Sequence, residues 1–408
     1  MATFSNTPRP AYVYEAATDQ WIPVGFGPHT HAVTDVTNAF NTTTVTAKGD
    51  LVVAAGSNSV TKLAVGGNGE SLVADSSTTT GLRWTSSQAN KNLLINGAFD
   101  IWQRGTTFAP GSITNAYGGD RWKCTYDDSL SGLTMSRVDI SDLNLGFKYA
   151  VSLKNTVGTK ANANVRLQQA FETHDTHMMR GKTYTLSFYA RKVSGSSVRI
   201  THMAGWTTTE TNGFGSSDEI QVVVPNASLT TTFQRFSQTF VASTNASYNS
   251  LKIQLDFQFL TSLNDELQVT GVQLEQGSVA TPFSRAGGTL QGELAACQRY
   301  YYRLTSTGYN RFAIAQCITS NTAQSVFALP LQFRAAPTAL EQTGTASNYA
   351  LTSSSGSPLT CSAVPSFDIS NANYVSILFT VASGLTAGHA TQAISNAVSA
   401  FLGVSAEI

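Results

Sequence analysis

Charge is what this sequence has least of. Asp, Glu, Lys and Arg make up 12% of its 408 residues, about half of the usual ~25% share. The 25 basic and 25 acidic residues cancel to a formal net charge of zero. That balance excludes the basic stripe of a nucleic-acid-binding protein and leaves no long-range field for steering a charged partner. Cysteine is also scarce. Cys124, Cys297, Cys317 and Cys361 lie far apart with no C-x-x-C pair, which argues against a zinc framework and for buried free thiols. No apolar run is long enough to span a bilayer, so membrane insertion is not expected. Met1-Ala-Thr-Phe-Ser-Asn6 has neither the basic nor the apolar region of a signal peptide, so export is not expected. G-x-S-x-G elbows, phosphate-binding loops and the long repeat of a β-helix are missing too.

Ser, Thr, Asn, Gln and Gly fill the space that charge leaves, and they suit strands and turns better than long helices. A neutral hydroxyl- and amide-rich surface is common in virion and extracellular β-proteins. In a chain made without export, it points to a structural protein of a virus.

The chain is organised around residues 92–104. There the apolar triplet Leu93-Leu94-Ile95 runs into Asn96-Gly97, and Phe99, Ile101 and Trp102 follow. Asn-Gly between apolar runs predicts a tight turn or bulge. Its counterpart is the later stretch Leu267–Glu275, which precedes Thr281-Pro282-Phe283. The intervening sequence reads as strands, so a sandwich with adjacent first and last strands is the economical fold. Leu251, Ile253, Leu255, Phe257 and Phe259 alternate with Lys252, Gln254, Asp256 and Gln258, the pattern of a half-buried strand.

The predicted fold is therefore all-β. Residues 1–40 are Pro-rich and aromatic, with short strands at Ala11–Tyr14 and Gln20–Ile22 and a turn at Thr18-Asp19. They read as an attachment segment lying along another protein. Residues 41–90 read as a slender β stem shared between three chains, with a flexible linker as the competing reading. Residues 91–286 read as a jelly-roll sandwich. Residues 287–408 read as a second β-domain, opened by a short helix near Thr289–Arg299 and closed by a buried strand at Phe401–Ala406. A strand over Phe327–Phe333 is expected to sit at an edge or bulge because of Pro330.

Five motifs, in order, carry a resemblance. They are Asn92-Leu-Leu-Ile-Asn-Gly-Ala-Phe-Asp-Ile-Trp-Gln-Arg-Gly105, Asp120-Arg-Trp122, Gly181-Lys-Thr-Tyr-Thr-Leu-Ser-Phe-Tyr-Ala-Arg191, Gly271-Val-Gln-Leu-Glu-Gln-Gly-Ser-Val-Ala-Thr-Pro-Phe283 and Cys297-Gln-Arg-Tyr-Tyr-Tyr302. With them, and with the leader Lys48-Gly-Asp-Leu-Val-Val53, the chain resembles a bacteriophage tail fibre or receptor-binding protein over roughly residues 45–408. Its central module is similar to carbohydrate-binding-module jelly rolls. The resemblance implies an elongated homotrimeric fibre in the virion, and the composition of residues 1–40 makes them the segment expected to mount it on a tail or baseplate protein. It also implies adsorption to a host surface glycan or receptor without catalysis. A head fibre or decoration protein with no receptor is one alternative, and a glycan-depolymerase tailspike is another.

Candidate sites follow from residue chemistry. Trp206, Asn212 and Phe214 fall in what reads as a long polar loop, and an aromatic face beside amides suits a sugar ring. Asn348 and Tyr349 offer the same pairing within residues 341–366, a loop-like stretch of the domain expected to lie farthest from the mount. Trp102 and Trp122 read as core. In three chains about one axis, His29 and His31 would bring six imidazoles together, as in some phage fibres. That is enough for an octahedral metal, iron first and zinc second; the competing reading is two exposed loop histidines. His174 and His177, with Glu172 and Asp175, read as loop residues rather than a zinc site. Asp127, Asp128, Asp256, Asp265, Glu266 and Glu275 are the carboxylates available to a glycosidase, and sequence spacing pairs none of them.

Overall fold

A computed structural model of the chain describes residues 11–24, 45–57, 59–68, 70–86, 91–108, 116–126, 132–156, 163–195, 199–210, 219–222, 227–259 and 263–408. The chain forms two compact units, residues 1–87 and 88–408. The first unit contains antiparallel hairpins: β1 (Ala11–Glu15) with β2 (Gln20–Val24), β3 (Leu51–Gly56) with β4 (Ser59–Leu63), and β5 (Glu70–Ala74) with β6 (Leu82–Ser86). The β1–β2 turn places Asp19 at positive φ, as Thr18-Asp19 predicts. A two-stranded hairpin has no opposing layer to cover it. Tyr12, Trp21, Val60, Val65 and Leu72 are accordingly exposed.

The second unit begins with the sandwich. Its strands are β7 (Thr107–Phe108), β8 (Ala116–Tyr117), β9 (Lys123–Tyr126), β10 (Leu133–Asp139), β11 (Tyr149–Asn155), β12 (Ala163–Ala170), β13 (Thr183–Ser194), β14 (Arg199–Thr207), β15 (Glu219–Val222), β16 (Ala227–Ser228), β17 (Gln234–Val241), β18 (Ser250–Phe259) and β19 (Glu266–Gln276), with helix α1 (Thr173–Met179) after β12. One sheet has the order β17-β13-β19-β11-β10-β7 and the other β15-β14-β18-β12-β9-β8, with β16 on β14. This is the jelly-roll arrangement. Inward-facing Leu153, Leu186 and Val269 of one sheet pack with Leu167, Ile253 and Leu255 of the other. The reverse face of β18 departs from expectation. Lys252 and Gln254 are buried as completely as their apolar neighbours. Gln168 donates to Gln254 across the β12–β18 pair, and Arg166 Nε lies 3.4 Å from Asp256.

The Asn92 stretch closes the sandwich against β19. Leu93 N donates to Leu274 O at 2.8 Å, and Val272 N donates to Gly97 O at 2.9 Å. Asn92 is fully buried and its amide completes the clasp. Nδ2 donates to Val272 O at 3.0 Å, while Oδ1 accepts from Leu94 N and Leu274 N, each at 3.0 Å. Gly97 is required by close approach, because a Cβ there would sit 1.9 Å from Val272 O. Asn96 supplies the positive φ of the turn, a conformation Asn tolerates. The expectation of adjacent first and last strands holds only in part: the Asn92 stretch meets β19, but it does so as turn and coil, and the first strand of the sandwich, β7, pairs with β10 instead.

The C-terminal half belongs to the same unit. It contains α2 (Leu290–Gln298), β20 (Tyr301–Thr305), β21 (Arg311–Cys317), β22 (Thr322–Ala328), β23 (Leu340–Gln342), β24 (Tyr349–Thr352), β25 (Pro358–Thr360), β26 (Ser366–Ser370), β27 (Tyr374–Thr380), β28 (Ala390–Ser395) and β29 (Phe401–Ser405). The sheet orders are β20-β29-β23 and β25-β24-β28-β21-β22-β27-β26. Thr289 caps α2, its hydroxyl accepting from Gly292 N at 3.0 Å. The closing strand β29 is central in its own sheet. The strand expected over Phe327–Phe333 instead ends at Ala328. Leu329 and Phe333 still reach the core, but Pro330 has no N–H to continue a ladder.

Candidate functional site

The structure moves several of the predicted contacts out of reach. Trp206 lies in β14, not in a loop, and is 1% exposed. Its indole packs edge-on to Phe240 at 6.0 Å and offers no face to a sugar. Tyr349 is wholly buried, its hydroxyl donating to Phe401 O at 2.7 Å and accepting from Thr343 N at 3.0 Å. Asn348 lies beside it at the end of a 3-10 turn, its amide donating to Thr343 Oγ1 at 3.0 Å. The stretch 341–366 is thus largely strand and turn. Asn212, Phe214, His29 and His31 lie outside the described residues, as do Asp127 and Asp128. His174 and His177 are exposed on α1, not on a loop, and no cluster of metal-ligating side chains occurs among the described residues. Of the other carboxylates, Glu275 accepts from Thr281 N and Oγ1 at 2.9 and 2.6 Å, Glu266 accepts from Ser152 Oγ at 2.7 Å, and Asp265 is buried.

Three of the resemblance-bearing motifs interlock where the sandwich meets the C-terminal half. The Arg121 guanidinium stacks 3.5 Å from the Tyr300 ring, pairs with Glu407 and donates to Ala170 O at 2.8 Å. Arg104 stacks 3.4 Å from the Tyr301 ring and lies 3.4 Å from Glu407. Gln103 Nε2 bridges Asp120 Oδ2 at 2.5 Å and Tyr301 O at 2.8 Å. Burial pushes the Asp120 carboxyl up to about 6, against the Gln103 hydrogen bonds and the Arg104 charge that favour its ionised form. Glu293 of α2 accepts from Asn96 N and, at 2.7 Å, from Gly287 N. These residues join two β-domains and face no solvent cleft.

A cleft opens beside this junction. It has a volume of about 340 Å³, at the lower end of the ~300–1,000 Å³ of small-molecule sites. Helix α1 forms one wall, and its anchorage explains its position. Glu210 accepts from Thr173 N and Oγ1 at 2.6 and 2.7 Å and binds Arg334 at 2.8 Å. Glu172 is taken up by Arg299 at 3.0 and 2.8 Å and Tyr300 at 2.6 Å. Thr176 and Met179 point inward, three residues apart on one face. Asp175 and Met178, spaced the same way, line the cleft. Leu93, Ile95, Phe171 and Tyr184 give an apolar floor, and Lys91, Lys182 and Gln276 line the mouth. Burial, then the neighbouring Glu172 charge, pushes the Asp175 carboxyl above its ordinary range. Asn92 also borders the cleft, but its amide is committed to the clasp. Leu93 and Ile95, Lys182 and Tyr184, and Gln276 fall in three of the resemblance-bearing motifs, but no single motif outlines the site, because its residues come from five separate segments.

No protein-family model matches the sequence, and no curated protein matches it. Among solved structures, the chain is similar to TmCBM61 in complex with β-1,4-galactotriose, with 13% identity, 46% of this chain and 99% of that chain covered, and a TM-score of 0.29. It is similar to the CBM22-1 xylan-binding domain from Paenibacillus barcinonensis Xyn10C, with 12% identity, coverage of 48% and 100%, and a TM-score of 0.29. It is also similar to the enzymatically active domain of Bacteriophage CBA120 tailspike protein 4, with 12% identity, coverage of 46% and 21%, and a TM-score of 0.29. Likeness of this order carries nothing about activity.

Proposed function

We propose that the chain is a non-catalytic structural protein of a bacteriophage virion, a homotrimeric tail fibre that adsorbs to the host surface through glycans. The observation that carries this reading is the junction. The Asn92–Arg104, Asp120–Trp122, Gly271–Phe283 and Cys297–Tyr302 motifs, on which the fibre resemblance rests, form one continuous device. Their co-occurrence is therefore one structural signature, not several weak ones. The exposed apolar residues of the hairpins in residues 45–86 support threefold assembly, since neighbouring copies would cover them. The engaged carboxylates of the sandwich support a role without catalysis, and a neutral amide-rich surface suits sugar hydroxyls. Residues 1–40 are assigned to the mount.

The test combines native mass measurement, antibody labelling of virions and adsorption of labelled protein to host cells. A trimer found on virions and adsorbing to cells is the expected result. New reducing ends released from envelope polysaccharide would replace this reading with a depolymerase. Presence on virions without adsorption would replace it with a decoration protein.

A further inference from the structure

We propose that the cleft beside α1 binds a carboxylated, N-acylated sugar residue. Only the identification of that sugar as part of a host-surface glycan rests on the adsorption reading. The chemistry of the cleft supports the site independently.

Lys91 and Lys182, both exposed, line the cleft, and neither ammonium makes an ion pair or hydrogen bond among the described residues. Several arginines of this unit are committed. Arg104 and Arg121 hold Glu407, Arg285 holds Asp100, Arg299 holds Glu172 and Arg334 holds Glu210. Two uncommitted lysines thus line one opening. Against them stands the single carboxylate of Asp175, so the mouth carries a net positive charge. It suits a ligand with one carboxylate and with hydroxyl or amide donors for Asp175 to accept. The Gln276 amide can both donate and accept.

The floor selects the rest of the ligand. Phe171 and Tyr184 line it with aromatic carbon, and Met178, an apolar side chain 53% exposed, lines it as well. Thioethers mould to small, irregular apolar groups. An acyl methyl and the C–H face of a pyranose are such groups. A volume of about 340 Å³ limits the occupant to a small molecule or a terminal sugar, not a long chain lying along a groove.

The experiment uses the full chain labelled with [methyl-13C]methionine. It has five methionines, and the Met178 resonance is assigned from Met178→Leu. N-acetylneuraminic acid is the probe, with neutral N-acetylglucosamine and hexanoate as comparison arms. The expected result is a saturable shift of the Met178 methyl with a Kd on the order of 1 mM. Replacing both lysines (Lys91→Ala with Lys182→Ala) should weaken binding about tenfold or more, and N-acetylglucosamine should bind about tenfold less tightly than the acidic sugar. An unchanged resonance of Met135, in the sandwich core away from the cleft, establishes that the double variant is folded. Failure of Met178 to shift, indifference to the lysine replacements, or equal binding of the neutral sugar would overturn the site. Tighter binding of hexanoate would overturn the sugar assignment. Host-cell adsorption measured alongside separates the two claims. A Met178 shift without adsorption rejects only the fibre reading, and adsorption without a shift rejects only this site.

Discussion

Replacing Glu407 with Ala tests whether the shared motifs are joinery. The Glu407 side chain is 4% exposed and faces Arg121, 2% exposed, and Arg104, 9% exposed. Truncation leaves both guanidiniums nearly out of water with their shared carboxylate gone. Breaking a buried ion pair from one side costs about 3–5 kcal/mol. Two features hold this case to the lower end. Arg104 keeps Glu341 at 3.6 Å, and both guanidiniums keep their ring contacts with Tyr300 and Tyr301. The expected cost is therefore about 3 kcal/mol, and at ~2 °C per kcal/mol in a domain of this size the transition falls by about 6 °C. The loss should be local to the junction. Calorimetry should resolve the sandwich and the C-terminal half as separate transitions, and hydrogen exchange should show β29 amides opening first. Adding Arg121→Met should restore more than half of the loss, because a methionine in that slot needs no counter-charge. A cost below about 1 kcal/mol with one unaltered transition, or a double variant weaker than the single one, refutes the reasoning.

Asn92→Ala removes three hydrogen bonds and strands the buried Leu94 and Leu274 N–H groups, so a cost of about 2–5 kcal/mol is expected in a urea titration, and a change within about 0.5 kcal/mol would contradict the clasp. For Asp120 the folded carboxyl titrates at about 6 against 3.8 ordinarily. Its contribution to stability is therefore fully present below about 4 and is lost as pH rises through about 6. A gap of about two pH units at ~1.4 kcal/mol each is worth roughly 3 kcal/mol. Relative to Asp120→Asn, the native protein should gain that much between pH 7.5 and about 4; a constant difference between the two across that range would show that Asp120 does not titrate this way.

Much of the sandwich was legible because its strands obey a simple period. Leu251, Ile253, Leu255 and Phe257 all point into one core, and Asn96-Gly97 turns where the sequence says it must. What was not legible depended on partners distant in the chain. Lys252 and Gln254 alternate like solvent-facing residues, yet they are buried. Helix α1 lacks an ordinary side-chain cap at Glu172; its first turn is tied down by Glu210, beyond the reach of any local signal. Trp206 follows Gly205 and precedes a run of threonines, a composition that reads as loop. Its parity with Ile200 and Ala204, both buried, is what places it inside. Tyr349 misled in the same way, since the Phe401 carbonyl that satisfies its hydroxyl is far away in sequence.

The chain's economy of charge explains why its junction and its candidate binding site place different demands on the sequence. Where ions are few, each buried pair is costly to desolvate and is kept only with well-fitted partners. Arg104, Arg121, Asp120 and Glu407 are committed in this way, and three of them fall in the motifs that make a recognisable pattern in sequence. A recognition cleft has the opposite requirement. Its lysines need nothing from the rest of the fold, and its apolar floor is assembled from elements already placed for other reasons. Lys91 and Lys182 can therefore change without disturbing the junction, whereas Arg121 cannot. A scaffold of that kind lets the ligand vary while the joint stays the same. Replacing Lys91 and Lys182 should leave the unfolding transition within about 0.5 kcal/mol of the original, as exposed unpaired cations do, while the Met178 response to acidic sugar weakens about tenfold or more.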